Sequence, residues 1–336
     1  MSVTIKDIAK KLEISITAVS KALNDRPDIS DELKEKVKKT AKKMGYTKNT
    51  IASRLVNQKS NTIGVFILSR YKIPNEENTG FSFLSGILEV SNKNNFDVIV
   101  FSTDSLEKKS YLELCRERRV EGAIFIGLEY NTKQLEELSQ SKLPIVLIDY
   151  KYDSPNISTI VSDSDTGIEK SFNYLKKLNH KKIGFINGHN KAYVSYQRLE
   201  SFKKISKKYN LYNENYIFKS DFSIEKGYEL SNMLLNLDDM PTAFIVSGAM
   251  TTYGLVKGFL DKNINIPKDI SIISYDNFKL DAYFTPEITS ISQNIDIIGK
   301  KSGEALFNLI NNGKKEEIVL NTELIIRKSC EVVRNG

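Results

Sequence analysis

Little in this 336-residue chain favours catalysis or metal chemistry. Two cysteines, Cys115 and Cys330, and two histidines, His180 and His189, are all there are, and no partner sits near them at ligand spacing. Neither a disulfide framework nor a zinc site is expected, and both thiols read as ordinary partly buried side chains. The chain has no Gly-x-Ser-x-Gly nucleophile turn and no glycine-rich phosphate loop. His180, in the turn Leu178 to Phe185, reads as a structural residue rather than a catalytic one, and no enzyme activity, cofactor or metal is expected. Eighteen consecutive apolar residues occur nowhere, and Met1 to Lys6 leads straight into charged helical sequence. A cytoplasmic protein without membrane contact is therefore expected.

Net charge is also missing from most of the chain. Beyond residue 60 there are 35 basic and 35 acidic side chains, so the whole excess of +7 lies in the first sixty residues, with 14 Lys and Arg against 7 Asp and Glu. A basic surface concentrated in one small module suits a phosphate backbone, because each neutralised phosphate releases condensed counterions. The same segment carries helix periodicity. Ile5, Ile8, Ala9 and Leu12 share a face, with Thr4 as N-cap and Asp7 as its capping-box partner. A tight turn at Glu13-Ile14 precedes a second short helix capped by Ser15, with Val19, Ala22 and Leu23 inward. Asn24-Asp25-Arg26-Pro27 breaks the chain, and Ser30 caps a third helix with Leu33, Val37, Ala41 and Met44 inward, ended by Gly45.

Two short helices joined by a tight turn and braced by a third predict a helix-turn-helix, whose second helix enters the DNA major groove. Its outward residues are Ile16, Thr17, Ser20 and Lys21. Thr17 and Ser20 can hydrogen-bond bases or phosphates, Lys21 can reach guanine or phosphate, and Ile16 offers an apolar contact to a thymine methyl.

The segments Val3-Thr4-Ile5-Lys6-Asp7-Ile8-Ala9, Ile14-Ser15 and Ala18-Val19-Ser20-Lys21-Ala22-Leu23-Asn24 resemble the headpiece of the LacI/GalR family of transcriptional regulators. The resemblance continues through Lys42 to Tyr46, Asn49 to Leu55 and Ser60 to Val65, and covers nearly the whole chain. It implies a small all-α helix-turn-helix headpiece plus an α/β periplasmic-binding-protein-like core of two similar parallel-sheet lobes. The implied boundaries are 1–46 for the headpiece, 47–60 for a hinge, 61–160 with 292–321 for one lobe, and 161–291 with 322–336 for the other. It adds Thr4, Ser15, Asn24 and Ala52 to the DNA-contacting set and implies that Leu55 is an apolar wedge in the minor groove. The hinge is too short to be a stable isolated helix, so it is expected to order when two copies pair over DNA. Lys48 stands where the family usually carries proline, which leaves the entry to the hinge less rigid.

After residue 61, strand-like runs (62–69, 96–102, 122–127, 144–149, 182–187, 243–247 and 270–275) alternate with helical stretches (83–93, 106–118, 166–178, 197–209, 226–235 and 250–262). That alternation predicts parallel sheets with crossover helices in two α/β halves. Ligands of such sheets bind at the carboxyl ends of the strands. Asp149 and Asp276 end two of those runs. The resemblance assigns Arg198 to the effector and puts Phe81 and Phe222 where an aromatic packs on it. Carboxylates and a guanidinium around a cleft suit a hydroxyl-rich ligand. Gly248-Ala249 replaces the Asn-Asp pair of many sugar-sensing relatives, so an altered sugar, a sugar phosphate or a sugar acid comes under consideration.

The expectation is a homodimeric repressor of carbohydrate-utilisation genes. Its expected partners are a pseudo-palindromic double-stranded DNA operator and a sugar or sugar derivative. No leucine heptads follow Cys330, so a dimer is expected rather than a coiled-coil tetramer. The alternatives are a nucleobase or phosphoprotein co-effector on the same kind of regulator, a solute-binding protein, and an enzyme with an accessory DNA-binding module. A solute-binding protein would carry a secretory signal in place of the basic headpiece, and an enzyme would need a catalytic constellation.

Overall fold

A computed structural model describes residues 3–46, 60–68, 79–102, 109–130 and 133–333. It divides into two units, Met1–Ser60 and Asn61–Gly336. Ala52 and Leu55, with the rest of the expected hinge up to residue 59, lie outside the described residues.

In the first unit, α1 (Ile5–Leu12), α2 (Ile16–Leu23) and α3 (Asp31–Lys43) form where the caps predict them. The Thr4 amide donates to Asp7 Oδ2 at 2.8 Å and the Thr4 hydroxyl donates to the same oxygen at 2.7 Å. That hydroxyl holds the Asp7 carboxyl below its usual range. Ser15 Oγ accepts from the Ala18 amide at 3.0 Å, opening α2, and Ser30 Oγ accepts from the Leu33 amide at 3.4 Å, opening α3. Glu13, at φ 54°, makes the turn between α1 and α2 in the left-handed region. Ile8, Ala9, Val19, Ala22, Val37 and Ala41 are buried together, so each helix contributes two residues to one small core.

The second unit holds two sheets. The first is built from β1 (Thr62–Ile67), β2 (Asp97–Ser102), β3 (Gly122–Ile126), β4 (Ile145–Ile148), β5 (Ile157–Ser162) and β11 (Glu317–Leu320). The second is built from β6 (Ile183–Asn187), β7 (Ile217–Lys219), β8 (Ala243–Val246), β9 (Ser271–Asp276), β10 (Thr289–Ser292) and β12 (Glu323–Ile325). The strand orders are β11-β5-β4-β3-β1-β2 and β12-β10-β9-β8-β6-β7, parallel except for β12 against β10. Both sheets therefore repeat one doubly wound order, and each reverses direction beside its first strand, at β1/β3 and at β6/β8. Side chains of β1 alternate between two cores. Ile63, Val65 and Ile67 pack on one face, while Phe66 stacks in register between Phe101 and Phe125 on the other, with ring centroids 4.4 and 4.5 Å away.

Helices cover both faces of the sheets: α4 (Thr79–Lys93), α5 (Tyr111–Glu117), α6 (Lys133–Gln140), α7 (Ser164–Lys177), α8 (Tyr193–Lys208), α9 (Ile224–Leu235), α10 (Ala249–Leu260) and α11 (Ile295–Asn312). The expected helix at 106–118 is shorter, because Ser110 caps it; Ser110 Oγ accepts from the Glu113 amide, and Glu113 accepts from the Ser110 amide at 2.7 Å. The chain crosses between lobes three times: from β5 into α7, from β10 into α11, and from β11 into β12. The first and third crossings are tied together, since Thr322 Oγ1 donates to the Asp163 carbonyl at 2.8 Å and Lys170 Nζ donates to the Thr322 carbonyl at 2.7 Å.

Helix α11 returns to the first lobe and crosses α4 at very close range. A Cβ on Gly86 would meet the Lys300 amide nitrogen at 2.5 Å, and one on Gly299 would strike the Phe83 carbonyl oxygen. Backbone meets backbone there, so no side chain can be inserted without separating the helices. Gly299→Val should lower unfolding stability by about 1–3 kcal/mol, as overpacking of a tight contact does. An unchanged urea midpoint would show slack at the crossing.

Candidate functional site

On the headpiece, the outward face of α2 presents Ile16, 43% exposed, beside exposed Thr17 and Ser15. Ser20 and Lys21 are half-buried, and the Lys21 ammonium pairs with Asp28 in the segment joining α2 to α3. Such an exposed pair holds its members weakly, so a phosphate can replace Asp28 as the lysine's partner. Asn24 Nδ2 donates to the Ser20 carbonyl at 2.8 Å, closing the end of α2. Thr4 is exposed at the start of α1.

The second unit contains a cleft at the carboxyl ends of both sheets, enclosing about 1010 Å³ of space open to solvent. Asp149, Arg198, Phe222 and Asp276 all line it. Phe81 does not: it is 44% exposed on α4, while Phe83 is buried and lines the cleft. Two residues along a helix turn a side chain by about 200°, so the sequence reading chose the wrong face.

Arg198 is 3% exposed. Its Nη2 donates to Asp276 Oδ1 at 3.3 Å, its Nη1 donates to the Ser247 carbonyl, and its guanidinium lies 3.8 Å from the centroid of the Tyr275 ring. One arginine on α8 thus spans the ends of β8 and β9. Gln293, in the crossing from β10 to α11, donates Nε2 to the same Asp276 oxygen. Asp276 is therefore held by side chains, not spent as a helix cap. Arg198 Nε and Gln293 Oε1 are buried without a hydrogen-bond partner, and both residues line the cleft. Buried polar atoms normally find partners, and these two are suited to a polar ligand.

The Asp149 carboxylate makes no hydrogen bond among the described residues. Desolvation pushes it up to about 6, with Arg198 opposing the rise and Asp276 adding to it. Asp149, Phe222 and Asp276 all have left-handed backbone, at φ 56°, 72° and 86°. For a phenylalanine that conformation is strained, and such strain gathers at ligand sites. Its ring fills the space over two glycines: a Cβ on Gly188 would strike the ring, and one on Gly248 would come within 2.8 Å of it. A side chain at residue 248 would therefore have to displace the Phe222 ring.

Sequence reasoning missed Gln293, Phe83 and Tyr193. Gln293 left a signal, a polar residue at an implied crossover; the aromatic pair left none beyond ordinary core spacing. The histidine reading agrees with the geometry. His180 is buried, with Nδ1 2.9 Å from Thr242 Oγ1 and Nε2 3.0 Å from Ser271 Oγ. Burial pushes both thiols up to about 12, so neither is reactive. Among the described residues no cluster could hold a metal, and no helix is long and apolar enough to cross a membrane.

Comparison with known proteins matches residues 4–49 to the model of bacterial regulatory proteins of the lacI family, and residues 172–330 to a periplasmic binding protein-like domain. The HTH-type transcriptional repressor PurR of Mannheimia succiniciproducens is 29% identical, covering 98% of this chain and 99% of its own. The lac repressor dimer bound to operator and the anti-inducer ONPF superposes with a TM-score of 0.86 at 21% identity, covering 98% of this chain and 100% of that one. A lacI-family regulator from Enterococcus faecium with bound ribose is 27% identical, with a TM-score of 0.70, covering 81% of this chain and all of that one.

The raised carboxyl of Asp149 has a consequence for stability. A carboxyl that ionises at 3.8 when unfolded and near 6 when folded opposes folding progressively between those values, and fully above about 6. Asp149→Asn should therefore raise the melting temperature of the ligand-free protein at pH 7.5 and leave it unchanged at pH 3.5. A lower melting temperature at pH 7.5 would mean that the carboxylate is stabilised where it lies.

Proposed function

We propose that the chain, which matches bacterial regulatory proteins of the lacI family over residues 4–49, is a DNA-binding transcriptional regulator, a homodimeric repressor whose operator affinity changes when a neutral, hydroxyl-rich ligand enters the cleft. The observation that carries the ligand class is the charge balance of the cleft. Arg198 is already engaged by Asp276 and the Ser247 carbonyl. With Asp149 ionised, the three groups hold one negative charge in excess, and the free carboxylate can only accept hydrogen bonds. A sugar offers hydroxyl donors to Asp149, while Phe83 and Phe222 offer apolar faces to its C–H surface. A sugar phosphate or sugar acid would bring a second anion against Asp149, so the same balance disfavours both. The ribose bound to the Enterococcus faecium regulator is a ligand of the favoured chemistry.

One observation supports a second reading. The flat Phe222 ring, lying on Gly188 and Gly248, also suits a planar heterocycle such as a nucleobase. A thermal-shift screen of the purified chain against neutral sugars, sugar acids, sugar phosphates and nucleobases separates the two readings. DNA binding to the region upstream of its own gene is then repeated with any hit. A neutral sugar that raises the melting temperature and changes DNA affinity supports the proposal; a response confined to anions or nucleobases overturns it.

For the same pathway, Arg198→Ala should leave DNA binding in place and remove the response to the hit. An unchanged response would take Arg198 out of the ligand site. On the headpiece, Lys21→Ala should weaken binding to specific and non-specific DNA alike and reduce the slope of log affinity against log salt by about 1. An unaltered slope would leave Lys21 as a brace for Asp28 alone.

A further inference from the structure

The crossings are not the only contact between the lobes. At one edge of the cleft, the segment after β3 meets the segment before α8. Glu129 and Ala192 form an antiparallel bridge, and the Tyr130 amide donates to the Lys191 carbonyl at 2.8 Å. Four tyrosines gather around this bridge, two from each lobe. Tyr193, in the first turn of α8, stacks on buried Tyr150 with centroids 4.4 Å apart and lies 5.6 Å from Tyr130; Tyr130 stacks on Tyr196 at 5.5 Å. Tyr193 belongs by sequence to the second lobe, yet it packs against the hydrophobic core of the first, the cluster holding Phe66, Leu128 and Tyr150.

We propose that Tyr193 is a positioning residue that plugs α8 into the first lobe, holds this edge of the cleft closed without ligand, and thereby sets where Arg198 stands. Tyr193 and Arg198 are five residues apart on one helix, about 7.5 Å along its axis. The first is fixed to one lobe by ring stacking, and the second is fixed to the other by Asp276 and the Ser247 carbonyl. A rigid helix clamped at both points cannot follow a separation of the lobes. Opening must withdraw the Tyr193 ring or drag Arg198 from the strand ends. The two exposed members, Tyr130 at 42% and Tyr196 at 48%, make the plug reachable by water from one side, so it can be withdrawn without unfolding either core.

The test measures closure itself, in the full chain with neither ligand nor DNA present. The inference rests on the proposed ligand cleft only for its consequence, so a failed ligand screen leaves this test valid. Hydrogen exchange at the Tyr130 amide reports the bridge between lobes, and exchange at the Ser247 amide, which donates to the Ile186 carbonyl at 2.8 Å within the second lobe, reports global stability. Tyr193→Ala should speed exchange at residue 130 on the order of tenfold while leaving Ser247 unchanged. Tyr193→Phe, which keeps the ring, should restore the slow rate. If Tyr193→Ala folds poorly, Tyr130→Ala, at an exposed position in a connecting segment, should speed exchange of its own amide in the same way. Equal acceleration at Ser247, no acceleration at residue 130, or failure of Tyr193→Phe to restore the rate would each overturn the proposal.

Discussion

The contact of Arg198 with Asp276 organises the second unit. A buried guanidinium without its carboxylate is an uncompensated charge, and removing one partner of such a pair typically costs on the order of 3–5 kcal/mol. Satisfying it requires the ends of β8 and β9 and the second turn of α8 to meet at one point, with the Tyr275 ring beneath. Gln293 adds the crossing from β10 to α11 to the same carboxylate. Helix, sheet and lobe connection thus converge on one ion pair, and Arg198 Nε and Gln293 Oε1 beside it remain buried without hydrogen-bond partners.

Around that pair the backbone accepts strain. Asp149, Phe222 and Asp276 sit in left-handed conformations at or within three residues of strand ends, where extended strands turn into loops. A parallel strand delivers its last residue at the sheet edge, and a left-handed turn there aims the side chain into the cleft rather than along the strand axis. The doubly wound order is repeated in both lobes, so two such edges face one space. The shape of the cleft and the fold topology are in this respect the same feature.

Much of this was legible in the residues. The headpiece could be read from its caps, because Thr4 with Asp7, Ser15 and Ser30 satisfy helix-end amides through local hydrogen bonds that depend on sequence alone. Asp149 and Asp276 were legible as polar residues ending apolar runs. Arg198 came from family resemblance. The short elements β5, β7, β10, β11 and β12 escaped, since they lack the unbroken four-residue apolar run that marks the equally short β4 and β8. Helix α11 also escaped, because Gly299, Ser302 and Gly303 stand among the inward residues of its 18 and weaken the apolar stripe. Choosing Phe81 over Phe83 was an error of helical phase: both are aromatic, and only the contact of α4 with α11 decides which one faces inward. Gln293 carried only the signal of a polar residue at an implied lobe boundary, and tertiary structure brings that crossing beside Asp276.

The triple crossing has a consequence for how the chain is made. The first lobe begins at β1, yet its sheet gains β11 only when residues 317–320 have been synthesised, roughly 250 residues later. At translation speeds of about 5–20 residues per second that is an interval of roughly 10–50 s. Within it, the outer edge of β5 waits about 155 residues for β11, and the face of α4 about 200 for α11, while the second lobe is being threaded out between them. The nascent first lobe is thus an incomplete sheet with an open edge, the kind of surface that pairs with other chains. Neither lobe is built from a single continuous segment, so no fragment ending before residue 317 completes either sheet.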